Sequence, residues 1–193
     1  MRPRRHIPAL AVRLISRVQC QGEHRLRHNP LIDPRELEQL HDRCFSWALT
    51  CTRGHRNEAE DVLQMTYLAI VEGKAHFAGG SSLKTWIFAV IRNQARSRSR
   101  RIRSALLSLS RVAAFAADEQ GSTESHPETH RLVAALHALP DRQREVLDLV
   151  FYRGLAIAEA AAVLGIGLGT ARTHYERGKA ALRRQLDLPE RTR

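Results

Sequence analysis

Aromatic residues, cysteines and long apolar runs are all scarce in this sequence. Phe, Trp and Tyr make up 5% of its 193 residues, too few for the broad stacking platforms that hold single-stranded nucleic acid. No apolar run approaches the roughly 20 residues of a membrane span. Arg13 interrupts the short apolar patch near the start and no small-residue cleavage site follows, which argues against a secretory signal. There are three cysteines, Cys20, Cys44 and Cys51. The last two fall seven positions apart in a helical stretch, about 10.5 Å along the axis, too far for a disulfide. An odd count without a framework points to a reducing cytoplasm. No glycine-rich phosphate loop, nucleophile elbow or paired metal motif is present, so an enzyme is rejected, and no small-molecule substrate, cofactor or metal is expected.

Positive charge is plentiful. The formal net charge is +11 and the pI about 10.8, a balance that favours a polyanion, most commonly nucleic acid. Residues 1–30 hold seven arginines against one acid, Glu23, and read as a loosely ordered extension. Cys20, His24 and His28 are spaced by four within it. On a helix they would share a face suited to zinc, but Gly22 and Pro30 oppose a helix and no fourth ligand is evident, so a tail without metal is the reading adopted.

Order is expected from Asp33. Asp33-Pro34-Arg35-Glu36 has the N-cap, the Pro at the first helical position and the acidic first turn of a helix start, and that helix runs toward Gly54. A second helix begins at Asn57 and runs to Gly73; a third starts around Ser82, carries Trp86 into the core and ends in arginines. Residues 104–130 change character, with SALLSLSRVAAFAA suited to a short amphipathic helix before a polar linker. Residues 131–188 read as four helices, near 131–138, 140–153, 156–164 and 168–187, followed by a tail over 189–193. With no strand signal, the fold class is all-α: two small helical domains, 31–103 and 131–188, joined by a flexible linker over 104–130.

Three clusters carry chemistry. In VLGIGLGTARTHY, Gly165 ends a short helix with positive φ, Ile166 turns inward and Gly167 caps a longer basic helix. Ala160, Ala161 and Ala171 let the two helices cross closely. This is a helix-turn-helix, whose second helix would present Thr170, Arg172, Thr173, His174, Arg177 and Lys179 to a major groove. A plain helical hairpin on a basic surface is the blander alternative. The second cluster, IRNQARSRSRRIR over 91–103, has six arginines and no acid; one helix face cannot hide that charge, so it meets solvent or phosphate. The third is acidic: Glu58, Glu60 and Asp61, with Gln64 able to share a helix face with Glu60 and Asp61. On spacing alone, a solvated acidic face is the simpler reading of it.

EAEDVLQMTYLAI, SSLKTWIFAVIRNQA and the run from LPDRQREVLDL through the helix-turn-helix to RRQL, taken in this order, resemble an extracytoplasmic-function sigma factor of bacterial RNA polymerase, within the sigma-70 family. The likeness covers residues 35–187. It implies that residues 31–103 form a region-two helical bundle and 131–188 a region-four helix-turn-helix module, without the larger middle domain of housekeeping sigma factors. It implies that Glu60, Asp61 and Gln64 dock on the largest (beta-prime) subunit of core RNA polymerase. Lys84, Arg92, Asn93, Arg96 and Arg100 would meet the melted minus-ten element of promoter DNA. The recognition helix would read the minus-thirty-five element, and the first half of the second domain would meet the flap of the beta subunit. The linker would thread toward the RNA exit path, an anti-sigma factor would be a further partner, and the location would be cytoplasmic. Opening DNA would rest on capturing a flipped base, at a cost of a few kcal/mol that binding must offset. The chain departs from the family at Met65, where an acid is usual, and at Ala160 and Ala171, where Ile and Val are usual. SRSRR at the third helix end is a further departure, expected to favour fraying. A stand-alone operator-binding regulator is the competing reading, but it accounts for 131–188 and not for 57–103.

Overall fold

The computed structural model describes residues 29–109 and 127–186. The arginine-rich start, the Cys20/His24/His28 set, most of the linker and the tail over 189–193 lie outside the described residues. Within them the chain is helical, with no strand: α1 (Pro34–Gln39), α2 (His41–Cys51), α3 (Arg56–Val71), α4 (Leu83–Leu109), α5 (Pro127–Ala138), α6 (Asp141–Leu147), α7 (Ile157–Leu164) and α8 (Leu168–Gln185). A π-helical turn, Asp148–Tyr152, continues α6.

Order begins before Asp33. Asn29 is fully buried; its side-chain amide donates to the carbonyls of Ile70 and Ala75 at 2.9 and 3.0 Å and its oxygen accepts from the Phe77 amide at 2.8 Å. One asparagine thus ties the entry to α1 onto the loop after α3. Asp33 caps α1 through the Arg35 amide, with Pro34 in the first turn, as the residue pattern requires. The expected single first helix is divided at Leu40, which keeps helical dihedrals (φ −83°, ψ −10°), so the division is a kink between α1 and α2. α3 starts at Arg56, one residue earlier than expected, with His55 as its N-cap and no side-chain cap bond.

The core of the first unit, α1 to α4, is built on Trp47, which is fully buried on α2 and donates from its indole to the Phe88 carbonyl of α4 at 2.9 Å. Trp86, expected in the core, is half-buried against the Phe77 ring at 5.2 Å. Both tryptophans have apolar neighbours in sequence, and only tertiary packing separates them. α4 does not end at its arginines: it runs unbroken to Leu109, 27 residues in all.

The second unit holds the helix-turn-helix. Gly165 is left-handed (φ 57°, ψ 42°), where glycine has no Cβ penalty. Gly167 is the extended N-cap of α8 (φ −65°, ψ 149°). Ala160 and Ala171 are fully buried where the two helices cross. Gly178 serves a close approach: a Cβ there would lie 2.9 Å from Leu147 Cδ1 of α6. The two units are not held apart. α7 lies on α4, and Val146, Leu149, Val163 and Leu164 join one hydrophobic cluster with Trp47, Phe88 and Ile91.

Candidate nucleic-acid and polymerase interfaces

α8 turns its charged residues outward because Ala171 and Gly178 face inward. Ala171 and Gly178, seven apart, are buried and fix the inner stripe. Thr170, Arg172, Thr173 and Arg177 are exposed on the other side, with His174 and Lys179 half-buried. The first turn carries no acid and no side-chain cap, so its amides are open to an anion. The Thr173 hydroxyl turns back onto the Gly169 carbonyl at 3.0 Å. Lys179 bonds Glu176 at 3.3 Å and lies 4.8 Å from the Tyr175 ring centre. His174 keeps a buried Nδ1 with no partner among the described residues.

α4 treats its candidate residues differently. Asn93, Arg96 and Arg100 are exposed and Lys84 is half-buried. Arg92 corrects the expectation that this arginine cluster meets only solvent or phosphate: it is 2% exposed. Its Nε and Nη2 donate to the two oxygens of Glu145 on α6 at 3.2 and 3.0 Å, and Nη1 donates to the Leu164 carbonyl at 3.1 Å. The charge is hidden by a partner 53 residues away, not by its own helix face. Burial pushes the Glu145 carboxyl up to about 7, while Arg142, Arg96 and Arg144 pull it down and Asp141 adds to the rise.

A second arginine closes the same seam. Arg153 donates to Asp148 at 2.6 Å, to the Arg43 carbonyl at 3.0 Å and to Ser46 Oγ at 3.2 Å. Its guanidinium also stands 5.4 Å from the Trp47 ring centre and 5.6 Å from that of Phe88. Burial raises the Asp148 carboxyl, against the pull of Arg153. Thr85 of α4 donates to Glu159 of α7 at 3.2 Å, and Arg53 meets Asp141 at 2.9 Å on the rim. For Asp141, burial is outweighed by the bonds and charges of Arg53 and Arg144, which hold its carboxyl below the usual range. Glu145, Arg153 and Glu159 went unnoticed in the sequence because their partners in the first unit, Arg92, Ser46 and Thr85, are distant in the chain.

On α3, Glu60 pairs with Arg56 at 3.0 Å and Asp61 with Arg98 of α4 at 2.8 Å. Gln64 is half-buried beside them. The same side continues into exposed Met65 and Leu68, 47% and 39% accessible. Spacings of three and four put Asp61, Gln64, Met65 and Leu68 on one stripe, so the face is acidic and apolar together. That mixture is less like a merely solvated surface than the acids alone.

Two family models match the chain: Sigma-70 region 2 over residues 37–105 and Sigma-70, region 4 over 135–184. The ECF RNA polymerase sigma factor EcfG of Rhodopseudomonas palustris (strain TIE-1) is 32% identical over 140 residues, 72% of this chain and 76% of that protein. The chain belongs to the extracytoplasmic-function sigma factors of the sigma-70 family. The RNA polymerase sigma factor CarQ of Myxococcus xanthus is 31% identical over 136 residues, 66% of this chain and 74% of that protein. Among solved structures, the sigma factor RpoE of Bartonella quintana, in complex with the anti-sigma factor NepR, has a TM-score of 0.66 at 24% identity. It spans 81% of this chain and 97% of its own, which shows the shared all-helical fold. As a sigma factor, the chain works with RNA polymerase in transcription initiation, and its family are not enzymes in the usual sense. Among the described residues, no helix is long and apolar enough to cross a membrane.

Proposed function

We propose that this sigma factor divides its work among three faces. α8 reads the minus-thirty-five element through Thr170, Arg172, Thr173 and His174, with Arg177 and Lys179 toward phosphates. α4 holds the melted minus-ten strand through Lys84, Asn93, Arg96 and Arg100. α3 docks on the beta-prime subunit of core polymerase through Glu60, Asp61, Gln64 and the neighbouring Met65 and Leu68, while the second domain meets the beta-subunit flap. The observation that carries the reading is α8: a basic helix whose first turn is acid-free and largely exposed, seated on the second unit by buried Ala171 and Gly178. Presentation of the first turns to the groove is what base-edge contact requires.

An anti-sigma factor is a fitting further partner. A largely apolar cleft of about 610 Å³ opens between the two units, lined in part by Leu132, Val133, Leu136, Leu147, Phe151 and Leu182. Phe151 is 64% and Leu132 42% accessible, a surface that an amphipathic helix of such a partner would cover. The working compartment is the cytoplasm, where polymerase and promoter are.

The test is binding of core polymerase by the full chain and by Asp61→Arg. The reversal is expected to weaken polymerase binding and to leave binding to a duplex carrying the upstream element unchanged. Equal loss of both would count against a docking role for α3.

A further inference from the structure

An arginine-lined cleft of about 530 Å³ opens between the end of α2, the distal half of α4 and α6. Its volume is that of a small-ligand site. Eight arginines line it against three carboxylates, Glu58, Asp141 and Glu145, an excess of five. The carboxylates do not answer the arginines evenly. Glu145 is taken by Arg92 at 3.0 Å and Arg142 at 3.5 Å. Asp141 is taken by Arg53 and Arg144 at 2.9 and 2.7 Å. Asp61, outside the lining, takes Arg98 at 2.8 Å. Arg96, Arg100 and Arg103 are left exposed, with no ion pair among the described residues.

The helix gathers these three. Spacings of four and three put Arg96, Arg100 and Arg103 on one stripe of α4, and about 10.5 Å of helix rise separates the first from the last. Arg100 Nη2 reaches Ser97 Oγ at 3.3 Å and Arg103 Nε the Ser99 carbonyl at 3.4 Å, long bonds within their own helix. Arg98 adds a buried Nε with no partner among the described residues. Like charges gathered in one cleft raise the local potential and concentrate anions there. A guanidinium presents paired N–H donors that match phosphate oxygens. One phosphate group carries at most about two negative charges, short of the excess of five, or of four once Asp61 is counted. A chain of several phosphates supplies the rest. Duplex DNA, whose major groove alone is about 12 Å wide, is too broad to enter a cleft of this volume.

We propose that this cleft is a binding site for a small polyphosphate, either a nucleoside polyphosphate or an inorganic one. Arg96, Arg100 and Arg103 hold the phosphate chain, with the end of α2 and α6 as the further walls. The site goes beyond the three proposed faces: Arg103 and the walls from α2 and α6 serve none of them. Arg96 and Arg100 are shared with the proposed minus-ten contacts, and the ligand site stands whether or not they hold DNA.

The test is calorimetric titration of the full chain, without polymerase, DNA or magnesium. It is run at about 0.1 M salt, where exposed charges more than about 10 Å apart are largely screened. The probes are inorganic triphosphate, adenosine and guanosine triphosphates, and inorganic phosphate. Triphosphate is expected to bind at one site per chain, about tenfold or more tighter than phosphate. Arg103→Ala is expected to weaken it about tenfold, the loss of one charged bond. Arg184→Ala removes an exposed arginine of α8 outside the cleft, and is expected to change it by less than about twofold. Tighter binding of a nucleoside triphosphate assigns the site to nucleotides; equal or weaker binding assigns it to the phosphate chain alone. Either result supports the site. No binding of any triphosphate, several equivalent sites per chain, or phosphate binding as tight as triphosphate overturns it. A loss from Arg103→Ala no larger than that from Arg184→Ala also overturns it, because binding would then follow net charge and not the cleft. With no DNA present, failure here leaves the minus-ten reading untouched.

Discussion

α4 and α8 are both basic helices, and they use arginine in opposite ways. On α8, Arg172 and Arg177 stand exposed on a helix whose inner stripe is alanine and glycine. On α4, Arg92 is enclosed by Glu145 and the end of α7, and Arg98 is bridged to Asp61, while Asn93, Arg96 and Arg100 remain outside. Charge density along a helix therefore does not say which charges are available. What decides is whether another helix brings a carboxylate or an open carbonyl to the same place. α8 has none at its first turn; α4 meets Asp61 of α3 and Glu145 of α6.

The comparison breaks most readily at Arg92. Arg92→Ala leaves Glu145 buried without its guanidinium and is expected to cost the packing of the two units about 3–5 kcal/mol. Arg177→Ala is expected to change stability by less than about 0.5 kcal/mol. Urea denaturation of both variants, with hydrodynamic radius followed alongside, checks the contrast; similar effects from the two substitutions would contradict it. Gly178→Val probes the inner stripe of α8. A Cβ there already meets Leu147 at 2.9 Å, so overpacking is expected to cost about 1–3 kcal/mol, measured by thermal unfolding. A neutral result would mean that α8 is not pressed against α6.

Smaller effects sharpen the comparison. Arg177→Ala is expected to weaken binding to all upstream sequences alike and to lower the salt slope by about one, since it removes one phosphate contact. The smallest is a pH dependence at Glu145. Its carboxyl is raised to about 7, so the stability it contributes is fully present below its ordinary value and is lost as pH rises through about 7. The groups facing it are Arg92 and Arg96 from α4 and Asp141, Arg142 and Arg144 from its own helix. Arg92 at 3.0 Å favours the charged form and offsets part of the burial, which keeps the effect modest. Melting temperatures from pH 5 to pH 8 are expected to fall more in the wild-type chain than in Glu145→Gln. Parallel curves for the two would contradict a raised carboxyl.

The local features were legible in the sequence. Asp33-Pro34 caps α1, and Gly165, Ile166 and Gly167 make the turn into α8, because a cap or a turn is settled by residues within a few positions. Fold class and the outward face of α8 follow from periodicity. Long-range partners were not legible. Asn29 reaches carbonyls more than 40 positions away, so it reads as part of the arginine-rich extension. Trp47 and Trp86 look alike until α2 and α4 pack. Glu145 sits in a polar stretch where nothing marks it as the partner of Arg92. Asn57 reads as the start of α3, but the helix begins at Arg56.

The central claim is that α8 reads sequence through its first turn while the arginine further along only positions it. Arg172 and Arg177 are five positions apart, so about 140° separates them around the axis, and they cannot do the same task. Binding of the full chain with core polymerase to a panel of single-base variants of the upstream element tests this directly. For Arg172→Ala the account predicts a loss of about 1–3 kcal/mol on the preferred sequence, with preference erased at one base position and kept at the others. A uniform loss across every variant would contradict it and assign Arg172 to the phosphate backbone.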